Sequence, residues 1–302
     1  MTHIAARRGL LHATLISPDL QAACSAYQAQ LGLHVSKPGE LDAETARVLG
    51  LDDLHGHAVA WLANEAGEPI LRLIEDSQAV PREPMFHHGW LSLEVLVGDV
   101  DTLADGLQPP FRVLGPPADL ELSPAIRAAQ VLGPCGEMLY LTQIKAVVPP
   151  FDLPMSDARV SRPFIGVMST PDRSASQAAW AALADHAGWS FDTKVTVLNR
   201  ALGKPLQGQY PVAVVPLAGQ SMVEIDQVEL STQPMPERRA GLHSLTWRLP
   251  ATANGIGEHW QFVGSFDDAV TGERRVGLRG PAGEHIELLG KIGFDLTPAP
   301  LH

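Results

Sequence analysis

Two stretches of the sequence repeat one pattern. Residues 133–141 read GPCGEMLYL, and residues 280–288 read GPAGEHIEL. Both open with a Gly-Pro-x-Gly-Glu turn and continue into a short apolar run, which together predict a turn followed by a β-strand. A Gly-Pro-x-Gly-Glu run is rare by chance. The pair therefore indicates that one structural unit occurs twice in the chain.

Two further pairs of similar segments occur in the same order. In all three pairs, the two segments are roughly 150 residues apart. One pairs GWLSL at 89–93 with GLHSL at 241–245. The other pairs SPD at 17–19 with TPD at 170–172, and an aromatic residue follows the Asp eight positions later in both, at Tyr27 and Trp180. Constant order and offset predict a head-to-tail duplication.

A proline-rich stretch separates the two copies. The segment from Val147 to Pro163 carries four prolines and has no clear hydrophobic period. Proline fixes φ and donates no backbone hydrogen bond, so this stretch is predicted to be an extended connector. We expect a first domain at 1–146, a linker at 147–162 and a second domain at 163–302.

Each copy has the same predicted order of strands and helices. A strand at 10–17 precedes a helix at 20–30, which Asp19 can cap at its start and Gly32 can end. Further strands are predicted at 57–63, 70–75, 90–97 and 138–143, with a second helix from 99 to 107. The second copy is predicted to contain strands at 164–169, 212–216, 221–227 and 242–249 and a helix at 174–186. The predicted fold class is α+β, with two β-α-β-β-β units in each copy.

The residues at these positions resemble the vicinal oxygen chelate superfamily, which contains glyoxalase I, extradiol dioxygenases and bleomycin-resistance proteins. The resemblance rests on His12 with Asp19 seven residues later, on Ala26-Tyr27 and Leu31-Gly32-Leu33, and on the closing run at 283–288. It implies a glyoxalase/dioxygenase fold, in which paired βαβββ modules form half-open curled sheets.

The resemblance also implies a divalent metal inside each cup, held at four strand positions. In the first copy these positions hold His12, Arg72, Ser92 and Tyr140. In the second copy they hold Ile165, Glu224, Ser244 and Glu287. Ile165 cannot bind a metal, and neither copy alone has a complete ligand set. Imidazole and carboxylate groups suit Fe, Zn, Mn or Ni, so an incomplete set for one of these metals is the expectation.

Pairing of units across the two copies would create another ligand set. His12 would then face the last strands of the second copy, where Glu287 and His243 complete a triad of two histidines and one carboxylate. Side chains alternate faces along a strand, so His243 and Ser244 point to opposite faces unless a one-residue bulge intervenes.

The remaining positions suggest roles around a bound molecule. Glu224 is the candidate general base, because a carboxylate among apolar neighbours is costly to bury without a role or a partner. Arg72, Tyr140, Ser92 and Ser244 are candidate substrate-binding residues. Arg72 is also compatible with a surface position on an edge strand, and Tyr140 is better explained as an aromatic that fills a site no longer in use.

Two functions remain open on this reading. One is a metal-dependent lyase, isomerase or ring-cleaving dioxygenase that acts on a small oxygenated substrate. The alternative is a metal-free small-molecule binding or sequestering protein of the bleomycin-resistance type, with tryptophans lining an apolar pocket. A plainer reading makes one copy a scaffold for the other.

Composition excludes several classes of partner. The chain has 302 residues, with 34 acidic and 22 basic side chains and a net charge of −12. Such acidity disfavours nucleic acid and anionic membranes, which are both recognised by Lys and Arg. The two cysteines build no disulfide framework, and no apolar run predicts a membrane span or a signal peptide. We expect a cytoplasmic monomer or homodimer that binds a small molecule.

Overall fold

The chain folds from four modules of similar order. The computed structural model describes residues 9–36, 38–81, 85–184, 186–230, 238–248 and 258–291. The first module contains β1 (Gly9–Ser17), α1 (Leu20–Leu31), β2 (His34–Val35), β3 (Gly39–Glu40), α2 (Ala43–Leu49), β4 (Ala58–Ala63) and β5 (Pro69–Glu75). The second contains β6 (Val80–Pro81), β7 (Gly89–Leu96), α3 (Val100–Asp105), β8 (Arg112–Asp119), β9 (Ile126–Leu132) and β10 (Met138–Ile144).

The second copy follows the same order. The third module contains β11 (Pro163–Thr170), α4 (Arg173–Ala184), β12 (Trp189–Lys194), α5 (Thr196–Ala201), β13 (Gln209–Leu217) and β14 (Ser221–Gln227). The fourth contains β15 (Arg239–Arg248), β16 (Gln261–Asp268), β17 (Glu273–Arg279) and β18 (His285–Lys291). The prediction of an α+β fold built from β-α-β-β-β units is confirmed. The predicted strand at 242–249 ends one residue beyond the described part of β15.

The first helix shows why the local sequence fixes its bounds. The Asp19 carboxylate accepts a hydrogen bond from the backbone N–H of Ala22, which satisfies a free donor at the start of α1. Gly32 adopts φ +73°, the left-handed conformation that closes a helix most easily when the residue has no Cβ. Both predicted ends of this helix are confirmed.

The modules pair across the two copies. Sheet 1 has the strand order β16-β17-β18-β15-β1-β5-β4-β2, so it joins the first module to the fourth. Sheet 2 has the order β12-β13-β14-β11-β7-β10-β9-β8 and joins the second module to the third. At the centre of each sheet, one antiparallel pair joins the copies: β1 with β15, and β7 with β11. Each sheet therefore contains strands from both sides of 147–162.

The main core lies between the two sheets, against α1 and α4. It contains residues from both sheets, among them Leu73, Leu93, Val223 and Leu245. Gly166 on β11 lies close to the other sheet, because a Cβ there would lie 2.3 Å from Leu245 Cδ1. The opposite face of each sheet forms a cup, and each cup has a separate apolar cluster.

A group of four tryptophans joins the sheets and α4. The indole of Trp180 on α4 contacts those of Trp90, Trp247 and Trp260 edge to face. The Trp90 indole N–H also donates to the carbonyl of His285 across the sheets, at 2.7 Å. These side chains are structural, and the expectation that tryptophans line the binding pocket is wrong for them.

No helix in the described part of the chain has both the length and the apolarity to cross a bilayer.

Candidate functional site: two unlike cups

The cup of sheet 1, here called cup 1, contains a buried ionic network. The Arg72 guanidinium donates to Glu287 Oε2 at 2.9 Å and to Thr14 Oγ1 at 2.8 and 3.0 Å. Arg275 donates to the other oxygen of Glu287 at 2.8 Å, and Thr246 Oγ1 donates to Oε2 at 2.8 Å. Arg72 and Glu287 are 2% and 0% exposed, so water does not compete for these bonds.

The network holds Glu287 as a carboxylate. Burial by itself would raise the pKa of this carboxyl, but the positive charges of Arg72 and Arg275 outweigh burial and lower the pKa well below its ordinary value. This geometry does not favour the predicted role of Arg72 in binding a substrate. Its guanidinium is taken up by Glu287 and Thr14, and its Cζ lies 5.3 Å from the ring centroid of Trp61.

The structure does not assemble the predicted triad of His12, His243 and Glu287. His12 Nε2 lies 3.9 Å from Glu287 Oε2, with the imidazole edge to face against Trp61. Between Thr14↔Ser244 and Leu15↔Leu242 the register of β1 and β15 shifts, so His243 is the extra residue of a bulge. The bulge that the sequence required is present. Even so, His243 Nε2 lies 2.9 Å from the carbonyl oxygen of Leu49, and the ring packs on His285.

A metal does not fit cup 1. Both oxygens of Glu287 already accept hydrogen bonds from guanidinium groups. Burial lowers the pKa of His243 to about 4, so this imidazole is neutral at pH 7, but it is directed at α2 rather than at Glu287. Ser244, a predicted substrate-binding residue, is fully buried, and its hydroxyl has no hydrogen-bond partner among the described residues.

Helix α2 fills the rest of cup 1. Asp42 caps the helix by accepting from Thr45 N, and Gly50 ends it at φ +65°. Its buried residues join an apolar cluster with Ile16 and Ile74, which follow Thr14 and Arg72 on the same face of β1 and β5. The helix also packs on β16, β17 and β18. The sequence interpretation missed α2, although an Asp cap followed eight residues later by Gly was available as a signal.

The cup of sheet 2, here called cup 2, holds an open cavity. It has a volume of about 330 Å³, within the range of small-molecule sites. Its walls are largely apolar and include Phe151, Phe164, Phe191, Ile126, Ile144, Leu153, Val214 and Met222. Phe151 and Leu153 belong to the segment predicted as a linker, so this segment also forms part of the cavity wall.

Three acidic side chains, two of them buried, lie at the base of cup 2. Glu94 on β7 and Glu224 on β14 line the cavity and flank β11 on either side. Asp226 lies two residues beyond Glu224 and is fully buried. Burial raises the pKa of all three carboxyls. The mutual charge raises it further for Glu94 and Asp226, while the Thr142 hydroxyl, which donates to Glu94 at 2.9 Å, opposes the rise.

Tyr140 extends the polar base of the cavity. Its side chain is 8% exposed and lines the cavity, and its hydroxyl has no hydrogen-bond partner in the described part of the chain. Burial, then the charges of Asp226, Glu224 and Glu94, raise the pKa of this phenol well above its ordinary value. Ser92, on the same face of β7 as Glu94, is fully buried and also lacks a partner within the described ranges.

Basic residues occur at the mouth of cup 2. Lys194 and Arg200 line the cavity there, and Lys194 donates to Glu121 and, at 2.9 Å, to Gln207. Helix α5 covers part of the opening with Val197. Across the described residues, no ion pair reaches Glu94, Glu224 or Asp226.

The strand registers make the two cups equivalent. Thr14 pairs with Arg72 in sheet 1 where Val167 pairs with Glu224 in sheet 2. Likewise, Thr246 pairs with Glu287 where Glu94 pairs with Tyr140. Arg72 and Glu287 thus correspond to Glu224 and Tyr140. One cup contains an internal ion pair, whereas the acids of the other form no ion pair with Lys194, Arg200 or any other described residue.

Cup 2 offers no conventional metal site either. Within the described ranges, no group of three or more His, Cys, Asp or Glu side chains is arranged to hold a metal ion. The expected divalent metal therefore has no complete ligand set here.

The predicted site residues separate into two groups. Arg72, Ser244, His12, His243 and Glu287 belong to cup 1. Glu224, Tyr140 and Ser92 meet in cup 2. Sequence reasoning missed Glu94 and Asp226, although both alternate with apolar residues in strands that already held a candidate.

Comparisons with known proteins agree with this architecture. No family model and no curated protein matches the chain. Among solved structures, glyoxalase I from Zea mays is similar at 13% identity, over 94% of this chain and 92% of that one, with a TM-score of 0.59. A mutant of the same enzyme gives 12% identity, 94% of both chains and a TM-score of 0.61. A putative dioxygenase from Bacillus subtilis is similar at 13% identity, over 94% of this chain and 85% of that one, with a TM-score of 0.60. The chain has the glyoxalase/dioxygenase fold, with four modules in a single polypeptide.

Proposed function

We propose that this chain is a small-molecule binding protein whose ligand occupies cup 2 without a metal. The observation that carries the proposal is the contrast between the cups. Cup 1 is filled by its ion pair and by α2, whereas cup 2 retains about 330 Å³ lined by aromatic and aliphatic side chains. An apolar cavity with a few polar groups at one end is typical of a site for a small organic molecule.

A fluorescence titration tests the proposal. The probe is N-phenyl-1-naphthylamine, whose emission increases in an apolar environment. Thr193 on β12 lines the cavity, and Thr193→Trp should obstruct it. We expect the protein to bind the probe, and the variant to bind it about tenfold or more weakly, because an overfilled cavity loses its contacts.

Asp192→Trp is the matched control for this experiment. Asp192 is the exposed neighbour of Thr193 on the same strand, so its side chain points away from the cavity. This variant should bind the probe as the unmodified protein does. Equal loss in both variants, or no binding to begin with, would overturn the proposal. Prior treatment with a chelator should leave probe binding unchanged. A loss of binding after chelation would show that the site needs a metal.

A second candidate function is proton-transfer catalysis in the same cavity, of the lyase or isomerase kind. Glu224 and Glu94 both line the cavity, and their pKa values are raised toward neutrality, where a carboxyl can both accept and return a proton. Glu224 would take a proton from carbon next to a carbonyl and return it to that substrate. This role keeps Glu224 as the general base and requires no metal.

Hydrogen–deuterium exchange separates the two functions. The probe is 4-phenyl-2-butanone in deuterium oxide, followed by NMR at the carbons next to its carbonyl. A catalyst should accelerate the exchange, and Glu224→Gln should abolish the acceleration. If the ketone binds and its exchange stays at the rate in buffer, the chain is a binding protein only.

A further inference from the structure

Lys194 and Arg200 line the wall of cup 2, but no basic side chain among the described residues forms an ion pair with its carboxyl groups. Glu94 is 7% exposed and Asp226 is fully buried, while Glu224 is partly open to the cavity. The polar group that the described residues provide for Glu94 is the Thr142 hydroxyl, at 2.9 Å. A buried carboxyl group is normally paired or bound to a metal. Glu94 and Glu224 instead line the cavity.

Cup 1 shows what satisfies a carboxylate in the same architecture. Glu287 lies at the position equivalent to Tyr140, and two guanidinium groups neutralise it. One of them belongs to Arg72, whose equivalent in cup 2 is Glu224. Cup 2 therefore has the carboxyl of Glu224 where cup 1 has the guanidinium of Arg72. The cavity beside Glu224 has room for a cationic group of a ligand.

A second, independent observation points to a ligand at this place. The Tyr140 hydroxyl lines the cavity, is buried, and has no hydrogen-bond partner within the described ranges. A buried hydroxyl without a partner costs free energy unless a bound molecule or water satisfies it. A primary ammonium group has three N–H donors, which matches acceptors on Glu94, Glu224 and Tyr140.

We propose that the ligand of cup 2 is a protonated amine with an apolar body, whose ammonium group lies between Glu94 and Glu224 beside the Tyr140 hydroxyl. This inference rests on the proposed binding function and adds the charge of the ligand. The apolar body lies against Phe151, Phe164 and Phe191. An anionic group at this place would meet the carboxyl groups of Glu94 and Glu224, and a neutral group would leave them without a counter-charge.

Calorimetric titration with two matched probes tests the inference. The probes are 4-butylbenzylamine and 4-butylbenzyl alcohol, which have similar size and apolar surface but differ in charge at pH 7.5. We expect the amine to bind about tenfold or more tightly, because hydrogen bonds between charged groups are stronger than neutral ones.

Two isosteric variants locate the preference. Glu224→Gln and Glu94→Gln should each reduce affinity for the amine about tenfold while changing affinity for the alcohol by less than about twofold. Retained alcohol binding shows that each variant is folded. Glu65→Gln, in an exposed turn, makes the same change in net charge and should affect neither probe.

The outcomes distinguish this inference from the proposed function. Equal affinity for the two probes would overturn the proposal that the ligand is an amine and would leave the proposed binding function intact. A preference for the amine that survives in both variants would place the ammonium group elsewhere and also overturn the inference. If neither probe binds, the cavity takes no apolar ligand of this size, and both proposals fall.

Discussion

At the scale of single residues, two equivalent positions decide how the cups differ. Arg72 and Glu287 form an ion pair inside cup 1, and Glu224 and Tyr140 stand at the same places in cup 2. A buried charge needs a partner within the protein or a ligand that supplies one. The first pair is satisfied within the protein, and the second is not.

The Arg72 pair should be essential to the fold. Arg72→Met leaves the buried Glu287 with Arg275 as its remaining guanidinium partner, so we expect a loss of about 3–5 kcal/mol in the free energy of unfolding, measured by urea denaturation. Arg127→Met removes a partly exposed arginine that pairs with Asp101 and Asp119. This control should cost far less, because water screens an exposed ion pair. Similar losses in the two variants would contradict the assigned role of Arg72.

Glu224 should make stability depend on pH. Its pKa in the folded protein is raised above the unfolded value, so the folded state binds the proton more tightly. The contribution of Glu224 to the unfolding free energy is therefore fully present below the ordinary carboxyl pKa of about 4 and is lost as the pH rises through the raised value. Glu224→Gln removes this contribution.

Urea denaturation at pH 5 and pH 8 measures the effect. We expect Glu224→Gln to be more stable than the unmodified protein by about 1–2 kcal/mol at pH 8, with a smaller difference at pH 5. Glu65→Gln should not alter the dependence on pH. A Glu224→Gln protein that loses as much stability with rising pH as the unmodified chain would show that this carboxyl ionises normally.

At the scale of elements, two short helices control access to the cups. Helix α2 lies in cup 1 against β16, β17 and β18, whereas α5 covers only part of the opening of cup 2. Close packing of α2 depends on Gly277, because a Cβ at this position would lie 1.8 Å from the carbonyl oxygen of Val48. Helix α2 and the ion pair carried by the strands therefore fill cup 1 together.

Gly277→Ala should displace α2 from cup 1. The clash is with backbone, which cannot rotate away, so we expect a loss of about 2–3 kcal/mol in the free energy of unfolding. Gly39→Ala is the control, since its Cβ would make an ordinary contact at 3.9 Å with Val59. Hydrogen exchange of the amides in 43–49 should increase in the first variant alone. Unchanged protection there would mean that α2 tolerates the methyl group.

At the scale of the whole molecule, the two copies depend on each other. Each sheet is completed by one antiparallel pair between the copies, β1 with β15 or β7 with β11. A separated copy would expose both central strands together with the apolar residues of the main core. Exposed strand edges of this kind favour aggregation or incorrect pairing.

Residues 1–150 and 160–302 should therefore not fold independently. Expressed alone, each fragment is expected to be aggregated or to lack dispersed amide signals by NMR, while co-expression should restore a soluble complex. A fragment that is monomeric, folded and cooperative in thermal unfolding would contradict the pairing of modules across the copies. The division into domains at 147–162 remains a prediction about the duplicated sequence.

The sequence by itself determined the duplication, the order of the main strands and of α1, α3 and α4, and the class of the fold, but not α2. Turn residues and helix caps such as Asp19 and Gly32 act over a few positions, so their effects can be predicted from local sequence. Alternation along β14 and β18 also identified Glu224 and Glu287 as carboxyls on a buried face. The glyoxalase/dioxygenase fold that these patterns indicated is confirmed.

Only the tertiary structure decided which cup is open and what its acids face. The pairing of Arg72 with Glu287 joins residues 215 positions apart, and the meeting of Glu94 with Glu224 depends on β11 lying between their strands. The bulge at His243 and the seating of α2 likewise depend on long-range packing. Charges and cavities arise from contacts between distant segments, and no local pattern of residues specifies which segments will meet.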